Sequence, residues 1–517
     1  MKRRNLFLSL ICSIILTITL VTFTVIGILP NAGKDGNKGQ NAGNVNNPGA
    51  EEVVIPVDIN KDADGTAEKP YYLYSAETFD TLIREHGAEG AYFELYTDID
   101  FAGVDFVPYF NQDVAFNGHI IGNGKSLKNI SIEVSKDNFD AFIYEDETDR
   151  VFDAHIGVFG TMEDAEIDDV IFDGLTIAVA DDVYSTYVPS GGFATEKGFA
   201  MRELTVGSVA SIATNTTFNK VVVNSVVDAG AYAVYVDNYA AGYNAVGAVV
   251  AVSDGSTFDG LVVKATVIAD SGKNYFIGGV AGYAYDTTVK ASKINLAVTN
   301  HYEQVLYIGG VAGFAKTASI EGVEVTLSVD EINVNDRYVT GINKAIDESK
   351  TTWVAGVFAV VRANAVAEAS TITDVKVVAD VDIDAIYAGA IVEVRSTVAN
   401  LKTVLVTVKD LIVDAKINVL KAYGAFKVSN YISVEMTKTE VDALNEAVFN
   451  IRMIGSVILE SKPEESAVAS LFASQTLNMT FVGGFDSIKV IASKNIIDNL
   501  SGVEGIRDWA VYAVVVK

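Results

Sequence analysis

Cysteine is almost missing from this 517-residue chain: the one thiol, Cys12, lies inside an apolar N-terminal run. No disulfide can form within the chain, so its stability must come from packing and backbone ladders, as a chain of this size allows. Proline is scarce too, at 7 residues, while hydrophobic residues reach 50%. That composition excludes a disordered chain, which lacks the apolar surface to offset ordering entropy. Positive charge is the third deficit: 38 Lys and Arg face 67 Asp and Glu, a formal net charge of −29. Nucleic acid is therefore not an expected partner, because phosphate neutralisation needs Lys and Arg. Flat binding to anionic lipid is disfavoured for the same reason.

Histidine is rare as well. His86, His119, His155 and His301 are the four present, and none begins a His-Glu-x-x-His pattern. A metallopeptidase helix of that kind is absent. No Gly-x-Ser-x-Gly elbow occurs, so serine hydrolase chemistry has no sequence support. Gly118–Ser126 (GHIIGNGKS) superficially resembles a phosphate loop, but the position that should hold its first glycine is His119. It reads as a β turn.

The N-terminus is rich in what the rest lacks. Lys2, Arg3 and Arg4 precede an uncharged apolar run, Leu6 to Leu29. Residues 6–29 are long enough to span a bilayer as a helix, with the basic flank inside and the remainder outside. Residues 1–30 are thus expected to be a signal anchor, or alternatively a cleaved signal peptide. The expected location is the extracellular face of the cell membrane, or secreted. Residues 31–64 read as a flexible linker whose first part is rich in Gly and Asn.

From residue 65 the chain is patterned. Ser75 to His86 predicts a short helix capped by Ser75, with Phe79, Leu82 and Ile83 on one face and Gly87 ending it in the left-handed conformation. Beyond it lies a repeat. The segments IGGVAGYAYDTTVKASKINLAV, from Ile277, and IGGVAGFAKTASIEGVEVTLSV, from Ile308, start 31 residues apart by subtraction. Weaker copies occur near Val206-Gly207, Val246-Gly247 and Val354-Ala355-Gly356. Each copy reads as two short Val/Ile-rich β runs around a turn, with too little apolar surface to stand alone. The predicted fold class is all-β: a right-handed parallel β-helix solenoid over 65–436, with a short N-terminal capping helix and the N-terminal membrane-spanning helix. Antiparallel sandwiches are the competing architecture. Residues 437–517, with a helix over Thr439–Phe449, are expected to cap the C-terminal end, and 66–100 the other. Insertions are expected at Asp181–Phe199 and Asp330–Lys350.

The motifs resemble bacterial GLUG-type surface proteins. The likeness rests on Gly65-Thr66 with Lys69-Pro70-Tyr71-Tyr72-Leu73, on Phe116-Asn117-Gly118 with Gly122-Asn123-Gly124, and on the Gly-Gly-Val-Ala-Gly blocks at 278–282 and 309–313. It covers about 65–335 well and 350–435 weakly. It implies a parallel β-helix at the cell surface, often adhesin-like. Where such repeats accompany an immunoglobulin-cleaving zinc peptidase, the catalytic part is a separate domain, and its metal motif is not in this chain.

Two sets of residues are candidates for binding. Tyr232, Tyr235, Tyr239 and Tyr243 fall within twelve residues, with Tyr184 and Tyr187 in the preceding insertion. Exposed tyrosines stack on sugars or anchor protein partners, so an unknown glycan or protein ligand is the expected partner. Tyr is also an ordinary strand residue. Asp58, Asn60, Asp62 and Asp64 alternate oxygen ligands before Gly65, like the first half of a calcium loop. Tyr71 stands where the closing Glu is needed, so an acidic linker end is the plainer reading. No cofactor is expected, calcium being the one candidate. Polysaccharide lyases and hydrolases provide the enzymatic alternative. The doublets Asp168-Asp169 and Asp181-Asp182 do not support it, because strand neighbours point to opposite faces. Arg202, Arg337 and Arg395 are isolated. The expected function is a non-enzymatic surface protein for adhesion or envelope binding; a purely structural envelope component is a further alternative.

Overall fold

The computed structural model describes residues 55–382 except 57–58, 111–113, 147–150, 181–182, 184–199, 231–243, 270–274, 301–305, 332–338, 341–344, 347–351 and 363–369, and beyond 382 a set of strands ending at Ala513–Val515. The expected membrane span at 6–29, the linker before 55 and the C-terminal helix Thr439–Phe449 lie outside the described residues.

Among the described residues the strands form three sheets, one of 19 strands and two of 9, parallel apart from the edge strand Ile143–Asp146, besides a two-stranded pair. One repeat shows how the chain builds them. Tyr275–Gly278 joins the second sheet, Ala281–Tyr285 the third, and Thr288–Lys290 with Lys293–Asn300 the long sheet. The next repeat sends Leu306–Gly309, Ala312–Lys316 and Ser319–Glu331 to the same three places. Ile277 lies opposite Ile308 and Leu296 opposite Leu327, each pair 31 residues apart by subtraction. The pairing offset therefore equals the sequence repeat.

Alternation decides which side faces the core. In Lys293–Asn300, Ile294, Leu296 and Val298 are buried, while Lys293 and Asn295 are exposed. A strand turns successive side chains to opposite faces, so one row joins the core and the other meets solvent. Equivalent residues stack along the sheets: the Phe218 and Phe258 rings lie 4.8 Å apart and 5° from parallel.

Two columns of left-handed residues bend the chain. Asp164, Asn215, Gly255, Asp286 and Thr317 precede the long sheet, and Asp169, Lys220, Gly260, Ala291, Gly322 and Asp374 kink within it, all with φ between 44° and 66°. Gly, Asn and Asp adopt this region at low cost; Lys220, Ala291 and Thr317 do not, and the stacked neighbours must hold them there. The repeat glycines act differently. A Cβ on Gly278 would collide with the carbonyl oxygen of Ala281, and one on Gly309 with that of Ala312.

These pairings correct the predicted fold class, the all-β right-handed parallel β-helix solenoid. Each repeat does not consist of two β runs around a turn: it supplies strands to three separate sheets and is kinked again inside the long one. Two antiparallel pairs are also present, Ile143–Asp146 with Val151–Ile156 and Val339–Thr340 with Ala345–Ile346. Among the described residues no helix is long and apolar enough to cross a membrane. The physical reason for the miss is that hydrophobic alternation marks strands, not the bends between them. Several bends carry no turn residue.

The one α-helix among the described residues, Ala76–His86, starts where expected. Ser75 accepts the Thr78 N–H through its side chain, and the Thr78 hydroxyl accepts the Ser75 N–H, a reciprocal cap. Its end differs from expectation: Gly87 is right-handed, at φ −67°. Glycine is needed there because a Cβ would meet the Phe110 ring and the Ile83 carbonyl. Phe79 packs edge-on against Phe101 at 5.5 Å, tying the helix to the first strands.

Candidate functional site: an aromatic corner between two sheets

The second and third sheets are joined by the glycine turns, and their non-core faces meet across that turn. In the second sheet Val246, Ile277, Ile308 and Val354 belong to the core. Their neighbours Ala245, Phe276, Tyr307 and Trp353 therefore face the other way, and they pair in register from strand to strand. In the third sheet Ala284 and Ala315 enter the core, while Val252, Tyr283, Phe314 and Val360 form a matching outer column. The two columns make a second apolar cluster, separate from the core, containing Phe276, Tyr307, Phe314, Trp353 and Val360.

Its rings are packed closely. Phe276 and Tyr307 stack at 4.8 Å and 9°. Phe276 meets Tyr283 at 4.8 Å and Phe314 edge-on at 5.6 Å. Tyr307 and Trp353 continue the stack at 6.3 Å. Phe276, Tyr307, Phe314 and Trp353 are only 6–8% exposed, so they are the floor. Tyr283 and Tyr285 are half-buried on top of it. Two residues apart on one strand, they point the same way; their rings are 6.0 Å apart and 11° from parallel. Beside Tyr285 the outer column turns basic: Lys316 is its register partner, and Arg362 follows Val361, which pairs with Ala315.

Towards the N-terminus the same corner is polar. Glu203 lies opposite Asp153 and Thr205 opposite His155. Asp153 and Glu203 are 6% and 7% exposed, and His155 Nε2 is 3.5 Å from a Glu203 oxygen. The Thr205 and Ser211 hydroxyls are 2.6 Å apart, fully buried. Between the two ends the lining is small, with Ala245, Ala251 and Val252.

The residues singled out in the sequence fare differently. Tyr232, Tyr235, Tyr239, Tyr243, Tyr184, Tyr187, Asp58, Asp181-Asp182 and Arg337 lie outside the described residues. The first four directly precede Asn244–Gly247, a strand of the corner. Asn60 is occupied as a backbone mimic: its Oδ1 accepts the Tyr72 N–H at 2.7 Å and its Nδ2 donates to the Tyr72 carbonyl at 2.9 Å. Asp64 accepts the Thr66 hydroxyl at 2.7 Å, which holds its carboxyl below the usual carboxylate range. Asp62 is exposed. Among the described residues no group of three His, Cys, Asp or Glu side chains could hold a metal ion. Asp168 accepts the Asn219 amide at 2.6 Å and Asp169 is a left-handed bend, so this doublet serves the stack. Gly118–Ser126 falls largely within the strand His119–Lys128. Arg202 and Arg395 lie on strands Ala200–Gly207 and Ile391–Arg395.

The aromatic corner itself was missed in the sequence, although a signal exists. Phe276-Ile277, Tyr307-Ile308 and Trp353-Val354 place a ring before the core residue in three successive repeats, and Tyr283 and Phe314 close the Gly-Gly-Val-Ala-Gly block.

No family model and no curated protein matches the chain. The resemblance to GLUG-type proteins therefore rests on the motifs alone. Among solved structures, one described as an IgA1 protease is similar with a TM-score of 0.40 and 14% identity, covering 68% of this chain. The match takes in only 22% of that chain's length. At that score the likeness transfers neither fold nor activity.

Proposed function

We propose that the chain is a non-enzymatic extracellular surface protein that binds a glycan, in an adhesion or envelope-binding role, through the aromatic corner. One observation carries this reading: Tyr283 and Tyr285 present two nearly parallel, half-buried rings on a rigid strand, backed by Phe276 and Phe314. A pyranose ring has an apolar C–H face that stacks on such rings. A platform fixed by ladders and a packed floor is already ordered, so binding loses little further entropy. Tyr232, Tyr235, Tyr239 and Tyr243 belong to the same proposal, since in sequence they precede Asn244–Gly247, a strand of the corner. The extracellular location rests on the basic flank and apolar run at residues 2–29.

A glycan array probed with the full chain tests the reading. Tyr283→Ser and Tyr285→Ser are each expected to weaken binding about tenfold, the equivalent of ~1.4 kcal/mol. Unchanged binding by the double variant overturns the corner as the site. Release of reducing ends from a bound glycan overturns the non-enzymatic part.

A further inference from the structure

We infer that Asp254 sets the specificity of this site and that the glycan it selects is neutral, its hydroxyls donating to the Asp254 carboxylate; this rests on the glycan reading above. Asp254 and Tyr285 are register partners on adjacent strands of the third sheet. The residues just before them, Ser253 and Ala284, are buried, so Asp254 and Tyr285 stand side by side on the outer face. Their Cα atoms are one strand spacing apart, about 4.8 Å. A sugar ring stacked on Tyr285 therefore brings its hydroxyl edge within reach of the carboxylate, which accepts through two oxygens.

Asp254 differs from other acids on the outer faces, which are met by a register neighbour one strand away. Asp168 accepts from Asn219 at 2.6 Å and Asp173 from Asn224 at 3.1 Å. Asp259 meets Lys290 at 3.0 Å, and Glu166 meets His119 at 3.2 Å. The register neighbours of Asp254 are Thr214 and Tyr285. Its carboxylate is exposed and meets no hydrogen-bond or ion-pair partner among the described residues. Its backbone is nevertheless fixed. The Asp254 carbonyl accepts the Asn215 N–H at 2.7 Å and the Ser256 hydroxyl at 3.3 Å, and Gly255 donates its N–H to the Tyr285 carbonyl at 3.0 Å. An acceptor anchored beside a stacking ring loses little further entropy when a ligand arrives.

Charge sets the class of sugar. Hydrogen bonds to an ionised acceptor are roughly twice as strong as neutral ones, so hydroxyl donors suit this carboxylate. A uronate or sulfate would meet like charge at contact, and the net charge of −29 adds to the repulsion. A cationic amino sugar is disfavoured by Lys316, one strand beyond Tyr285 on the other side.

The test is an array of neutral, uronate, sulfated and amino glycans probed with the full chain, followed by titration of the tightest binder. Neutral glycans are expected to bind best, with affinity level as salt rises from about 0.05 to about 0.5 M. Asp254→Asn should lower affinity for the tightest neutral glycan about tenfold and narrow its lead over uronate glycans. Glu163→Gln removes the same charge from an exposed residue two strands away in the same column, and should change neither quantity. The ranking of glycan classes needs no variant, so a folding defect cannot mask it. Unchanged binding by folded Asp254→Asn, or an equal loss in Glu163→Gln, overturns Asp254 as the selector and leaves the glycan reading standing. Uronate or sulfated glycans binding above neutral ones overturn the neutral class. Amino glycans binding above neutral ones assign the carboxylate to an ammonium and overturn it too. Failure of every glycan to bind overturns both readings.

Discussion

Two ends of one corner share a backbone and differ in what they carry. Near residues 151–214 the non-core faces hold Asp153, His155, Glu203, Thr205 and Ser211; near 275–362 the same faces hold Phe276, Tyr283, Tyr307, Phe314 and Trp353. Beneath both runs the same core column: Ile156, Val206, Val246, Ile277, Ile308 and Val354. Core residues and glycine turns set the register, and that leaves the opposite face of the same strands free to change chemistry from repeat to repeat. The scaffold can be read as periodic while the site is read from what breaks the period.

The largest effects should be indifferent to which end is altered, because they strike the shared turn. Gly207→Ala at the polar end and Gly278→Ala at the aromatic end should each cost about 3 kcal/mol or more in chemical denaturation, since the new methyl meets backbone carbonyls of Ala210 and Ala281. If one is tolerated and the other is not, the two ends do not share a turn. The register partner of Gly309 is Ala355, and nothing in its contacts explains why a methyl is accepted there.

Next come effects confined to one end. Phe276→Ala removes the ring that touches Tyr283, Tyr307 and Phe314, and should cost about 3 kcal/mol together with glycan binding. At the polar end, Thr205→Val alone removes the hydroxyl paired with Ser211, leaves the Ser211 hydroxyl only the Thr205 carbonyl, and should cost about 1–2 kcal/mol. Thr205→Val with Ser211→Ala should recover part of that, because no buried hydroxyl is then left without the other, although the Thr205 and Ala154 carbonyls each lose a donor. Thermal unfolding of the two variants separates a hydrogen-bond pair from a site that must stay polar. Neither change should alter binding at the aromatic end, and a loss of binding would join the two ends into one site.

The smallest effect lies outside the corner and calibrates it. Burial pushes the Asp98 carboxyl up, but the Lys128 ammonium at 2.7 Å and the Ser126 N–H outweigh it, and the net shift is downward. A lowered folded-state pKa contributes stability above the ordinary carboxylate range and loses it as pH falls through the folded value. Stability should therefore decline below about pH 4, and Asp98→Asn should flatten that part of the profile by about 1 kcal/mol or less, since both groups are well exposed.

Legibility followed the same division. The repeat spacing, the helix cap at Ser75 and the buried alternation of Ile294, Leu296 and Val298 were readable, because each is a local or periodic property. The bends at Lys220, Ala291 and Thr317 were not, because no turn residue marks them. Asn60 and Asp64 looked like ligands by spacing, yet Asn60 is spent on Tyr72 and Asp64 on Thr66, contacts that spacing alone does not reveal. Tyr283 and Tyr307 are 24 residues apart by subtraction and meet through Phe276, which only the folded turn brings between them.

Composition and pattern by themselves determined a chain without disulfides, acidic, built of β repeats of which the clearest pair starts 31 residues apart by subtraction, with an apolar run near its N-terminus. Tertiary structure alone decided that each repeat feeds three sheets, and that rings from successive repeats gather on the non-core side of one turn. The reason is physical: alternation tells which side chains share a face, but whether two faces meet depends on the angle between strands, and that angle is set by backbone dihedrals and close contacts.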